Sequence, residues 1–154
     1  MKGKRSRLTK AKKLIGCILV VATCPSSLVA EDVVVTIRLI NGKNGKSITD
    51  ENLNVFRNGS RFTETFRADH NGVIRLTIDR DAVVDFASNI QVSCHPYGAN
   101  DGSEHSPRQY RVRDILETGI SDKNMCSKKI SIEAKPGEFV YYERPRTFWE
   151  WMSL

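Results

Sequence analysis

The sequence predicts an all-β sandwich of seven or so short strands with one short helix, and three observations agree on it. Runs of branched and aromatic residues alternate with a period of two, turn clusters built on Asn-Gly, Asp and Pro-Gly separate them, and one cysteine pair remains once an N-terminal leader is set aside. Many short strands between turn-rich segments are the signature of two packed β layers.

The leader spans residues 1–30. Lys2, Lys4, Arg5, Arg7, Lys10, Lys12 and Lys13 make it positive, no acid interrupts it, and Leu14 to Thr23 form an apolar run of signal-peptide length that Pro25, Ser26 and Ser27 break. The expectation is cleavage near Ala30 and a secreted or periplasmic product. An uncut leader would tether the domain to a membrane, but the run is short for a span, which needs about 20 apolar residues. Removing its 7 cations from the chain's 24 leaves 17 against 18 acids, a net charge of −1. Such a surface has no field to attract phosphate backbones, so nucleic acid is not an expected partner.

The first strand begins at Asp32, with Val33, Val35, Ile37 and Leu39 on one face. Asn41, Gly42, Asn44 and Gly45 turn the chain into a second strand from Ile48 through Leu53, Val55 and Phe56. Asn58-Gly59 marks a hairpin into Phe62 to Arg67, and Asp69-His70-Asn71-Gly72 turns into Val73 to Ile78. Asp79 to Phe86 reads as a connector, because Ala82, Val83 and Phe86 would share a helical face. Ile90 to Cys94 returns to strand character, residues 95–107 form the longest loop, and Val112 to Glu117 form a helix ending before Gly119. Ile130 to Ala134, a Pro136-Gly137 turn and Phe139 to Glu143 complete the strands.

Of four cysteines, Cys17 and Cys24 lie in the leader, which leaves Cys94 and Cys126 to form one disulfide in an oxidising compartment. A lone pair lacks the ligand set of zinc. No cofactor and no metal are expected. A metal-dependent or hydrolytic alternative would draw on the 94–107 loop, where His95, Asp101, Glu104 and His105 gather.

Two stretches carry a family resemblance. The opening strand running into Asn41-Gly42-Lys43-Asn44-Gly45-Lys46-Ser47-Ile48, and Ala68-Asp69-His70-Asn71-Gly72-Val73 followed by a strand, resemble the start and the Thr-Asp-x-x-Gly turn of carboxypeptidase-regulatory-like or transthyretin-like modules. The resemblance covers residues 33–78 and implies a prealbumin- or immunoglobulin-like sandwich in which Gly72 takes a positive φ. Transthyretin-related hydrolases end in Tyr-Arg-Gly-Ser, whereas Trp151-Met152-Ser153-Leu154 stand here, so their activity is not implied. Isopeptide-forming modules need a lysine on the first strand; Arg38 cannot serve as that nucleophile. The C-terminal third, with Thr118-Gly119-Ile120, Pro136-Gly137-Glu138 and Arg144-Pro145-Arg146-Thr147-Phe148-Trp149-Glu150, is similar to small exported acidobacterial proteins, which implies a bacterial source.

Residues 31–143 are thus expected to form the sandwich and 144–154 an aromatic tail on or beside it. The favoured expectation is that Phe139, Tyr141 and Trp149 fold back to complete the core. The competing one makes Arg144, Arg146, Phe148, Trp149 and Trp151 a platform for an envelope protein or carbohydrate. Together these readings describe an exported, non-catalytic module with a binding or structural role at the cell envelope or outside it.

Overall fold

A computed structural model describes residues 31–94 and 108–152. Alternation of branched residues gives β1 (Asp32–Asn41), whose Val35, Ile37 and Leu39 are buried on one face. Four further strands follow as antiparallel segments: β2 (Asn52–Arg57), β3 (Thr63–Arg67), β4 (Val73–Asp79) and β5 (Val83–Ser88). The remainder comprises the two-residue pieces β6 (Val92–Ser93), β7 (Tyr110–Arg111) and β8 (Ile120–Ser121), the long β9 (Glu138–Arg144), and the helices α1 (Val112–Thr118) and α2 (Phe148–Met152).

These make an all-β sandwich. One sheet runs β4-β1-β9-β6, with β8 also on β9, and the other runs β3-β2-β5-β7. β1 and β9 pair in parallel, Thr36 opposite Glu138 through Asn41 opposite Glu143. Inward residues of both sheets interleave: Phe86 of β5 lies 4.6 Å from Phe139 of β9, whose ring also meets Tyr110 at 4.6 Å. Val112 and Ile115 of α1 close one side of this core.

The turns behave as their residues dictate. Gly72 sits at φ 74°, and Asp69 Oδ1 accepts from the N–H groups of Asn71 and Val73, which also holds the Asp69 carboxyl below its ordinary range. Asn58 takes φ 51° and Gly59 φ 70° at the hairpin, and Asn58 clamps Val83 through both its backbone N–H and its side-chain oxygen.

Two expectations are corrected. Asp79 to Phe86 is not a connector: only the turn at Asp79–Ala82 is, and Val83–Ser88 is an interior strand between β2 and β7. The helical spacing of Ala82, Val83 and Phe86 misled because Asp85, buried beside Val84 and Phe86, hides the alternation. Ile130 to Ala134 is not a strand. Its alternate residues Ile130, Ile132 and Ala134 do face an apolar surface, but the backbone bonds go to side chains: Ile132 N–H donates to the Tyr142 hydroxyl at 2.6 Å, and the Ile130 carbonyl accepts from Asn124 at 3.0 Å. Alternation reports burial, whereas a strand also needs a neighbouring backbone.

That segment covers the outer face of β1 and β9. Ile40, Cys94, Val140 and Tyr142 form a second buried cluster there, backed by Cys126, Ile130, Ile132 and Ala134. The Cys94–Cys126 disulfide, expected from the sequence, fastens the cover. Asn124 ties it further, donating to the Gly42 carbonyl at 2.8 Å and accepting from Cys126 N–H at 3.0 Å. Gly42 has no substitute in this seam, since a Cβ there would meet Asn124 Oδ1 at 2.6 Å and the Cys94 sulfur at 2.8 Å.

Candidate functional site

The C-terminal tail departs from its favoured expectation. Phe139 and Tyr141 do complete the core, but Trp149 does not fold back: it is 78% exposed, beside Phe148 at 68%, Trp151 at 56% and Met152 at 69%. A polar device holds the helix that carries them. Thr147 and Glu150 form a reciprocal capping box, in which Thr147 N–H donates to Glu150 Oε2 at 2.7 Å and Glu150 N–H to Thr147 Oγ1 at 3.4 Å. Arg144, still on β9, grips the same carboxylate with both guanidinium nitrogens, at 2.8 and 2.5 Å. The grip holds the Glu150 carboxyl far below its ordinary range and raises Arg144.

The five-residue helix α2 is therefore anchored through Glu150 to the last strand, and Phe148, Trp149, Trp151 and Met152 share the side opposite that anchor. Arg146 places its guanidinium 6.0 Å from the Trp151 ring centre, a cation–π contact at the foot of the helix. Phe148 and Trp149 meet edge to face at 5.7 Å. The five residues Arg144, Arg146, Phe148, Trp149 and Trp151 are thus brought together, with Arg144 in a positioning part.

Two groups of buried acids escaped the sequence reading. At one end of the core Glu143 is fully buried: Ser88 Oγ donates to its Oε2 at 2.5 Å, while Oε1 finds no hydrogen-bond partner among the described residues. Tyr141 shares the cluster, its hydroxyl bonded to Ser93 Oγ at 2.7 Å and accepting from Ser88 N–H at 3.2 Å. Burial pushes the Glu143 carboxyl up to about 7, and the charge of Glu51 adds to it. Asp85 on β5 of the other sheet is 6% exposed, and Asp122, just past β8 beside β9, is 5% exposed. Tyr110 donates to Asp122 at 2.9 Å, and Arg108 lies 3.7 Å from the same oxygen. Burial raises Asp85 to about 6, helped by Asp122, and raises the Tyr110 hydroxyl well above its usual range. The only sequence signal for either group was an acid within a strand-like run.

His70 sits on its turn beside Asn71, 3.1 Å from its amide nitrogen. His95, Asp101, Glu104 and His105 lie outside the described residues, as do residues 1–30, the expected leader. Among the described residues no group of three or more His, Cys, Asp or Glu side chains converges as a metal site, and no helix is long and apolar enough to cross a membrane.

Compared with protein-family models, with curated proteins and with solved structures, the chain gives no match. The resemblance to regulatory-like modules therefore rests on the turn motifs alone.

Proposed function

We propose that the chain is an exported, non-catalytic β-sandwich module, of the prealbumin- or immunoglobulin-like kind, that binds an envelope protein or carbohydrate through its C-terminal helix. One observation carries the reading: Phe148, Trp149, Trp151 and Met152 stand exposed on a helix that a capping box and a bidentate arginine hold in place. Exposing large apolar side chains is unfavourable by roughly 25 cal/mol per Å². An ordered patch of them fits a surface that a partner covers, with aromatic and arginine anchors of the kind that dominate interfaces. The Cys94–Cys126 bridge supports an oxidising compartment, in agreement with the leader.

The test compares the native chain with a Trp149→Ala/Trp151→Ala variant in binding to purified envelope glycans and to co-exported proteins. The double variant is expected to lose binding while its melting temperature stays within about 2 °C, because exposed positions contribute little to folding. Equal binding by both proteins would defeat the reading. Determination of the N-terminal residue of the exported protein checks the cleavage expected near Ala30.

A further inference from the structure

The β3-β2-β5-β7 sheet carries a second feature, away from α2. A hollow of about 150 Å³ opens there, lined by Phe56, Ser60, Val83, Val84, Asp85 and Gln109. Phe56 and Asp85 are direct partners across the β2–β5 ladder, so the ring and the carboxylate stand side by side on one face.

Asp85 is the unusual member. An almost fully buried carboxylate calls for a countercharge. Asp85 Oδ1 accepts the Phe86 N–H at 2.7 Å, and no Lys or Arg among the described residues pairs with it. Burial raises its carboxyl, and the charge of Asp122, which accepts from Tyr110 and lies 3.7 Å from Arg108, adds to the rise. The hollow thus sets one carboxylate, unpaired by any Lys or Arg of the described residues, against an aromatic ring and two valines.

We propose that this hollow receives a primary alkylammonium group, with its nitrogen on Asp85 and its methylenes against Phe56 and Val83. The dimensions select an end group, because whole small-molecule ligands fill pockets of about 300–1,000 Å³. The chemistry selects ammonium over guanidinium: with Oδ1 already bonded to the backbone, one oxygen remains, which suits a point charge better than a fork. An adjacent aromatic ring favours a cation over a neutral hydroxyl of equal size. A lysine side chain of a partner protein and a free amine both offer this ammonium, and the titration separates them.

The experiment is an amide-resonance titration of the whole chain with n-butylammonium, N-acetyl-lysine amide, n-butylguanidinium and n-butanol. The two ammonium compounds are expected to saturate on the order of millimolar, as suits ligands of so few atoms, with shifts at Val83, Phe86 and Gln109. The alcohol and the guanidinium should bind about tenfold more weakly or not at all. Asp85→Asn should weaken ammonium binding by roughly 10- to 100-fold. Gln109→Lys, which brings an ammonium to the same rim, should block it by occupancy and keeps the test alive if the first variant fails to fold. Affinity should rise about tenfold from pH 5 to pH 7 as Asp85 ionises. Equal binding of n-butanol, or no saturable shift in the folded native chain, overturns the proposal. Saturation by both ammonium compounds supports a lysine side chain as the natural occupant; saturation by n-butylammonium alone supports a free amine. Neither outcome depends on α2, so failure here leaves the tail reading standing.

Discussion

The molecule buries apolar residues in two places, and it closes them by different means. Between the sheets, Val35, Ile37, Leu39, Leu53, Val55, Leu76, Phe86 and Phe139 are sealed by strand ladders whose backbone bonds are made with other strands. On the outer face of β1 and β9, the smaller cluster around Ile40, Val140 and Tyr142 lies under a chain segment without strand pairing, held by the Cys94–Cys126 bridge, Asn124 and the Tyr142 hydroxyl. The first region draws its order from a repeating backbone. The second draws it from a few individual bonds, so removing one should matter locally and strongly.

The largest effect is expected in the first region. Phe139→Ala removes a ring that touches both Phe86 and Tyr110, and should cost about 3–5 kcal/mol, lowering the denaturation midpoint of every probe together. Replacing Cys94 and Cys126 by Ser should cost roughly 3.5 kcal/mol on the chain-entropy account for a 32-residue separation. In contrast to Phe139→Ala, hydrogen exchange should quicken first at Asp122, Cys126 and Ile132 while Val35 and Leu76 stay protected. Uniform loss of protection in the second variant would erase the distinction between the two regions.

The smallest effect sharpens the comparison at Glu143, a buried acid at the end of the inter-sheet core. Glu143 has an ordinary value of 4.5 and a folded value of about 7, so the folded state holds its proton more tightly. Its contribution is fully present below about pH 4.5 and is lost as pH rises through about 7, on the order of 3 kcal/mol in all. Asp85, raised in the same sense to about 6, adds to the slope. Glu143→Gln keeps a neutral group in place and should flatten the pH dependence of the melting temperature between pH 5 and 7. An unchanged profile would mean that the carboxyl is solvated.

Legibility in the sequence followed the same division. β1, β2, β3, β4, α1 and β9 could be read because each carries its own period and its own turn, as at Asn58-Gly59 and Asp69 to Gly72. The disulfide could be read because one cysteine pair remained once residues 1–30 were set aside. β5 was hidden by Asp85, and the 130–134 cover by true alternation without a pairing partner. At the tail the five residues were legible as a group, whereas the exposure of Trp149 depends on the Thr147–Glu150–Arg144 contacts, which only three-dimensional placement brings together. Glu143 and Asp85 were ordinary acids until burial changed their chemistry.

The parallel pairing of β1 with β9 also governs how the domain carries load. Tension applied at residue 31 and residue 145 draws the two strands along each other in opposite directions. The hydrogen bonds from Thr36–Glu138 to Asn41–Glu143 are then stressed together in shear instead of unzipping one after another. A protein held at one end while its other end grips a partner would resist extension through this central seam.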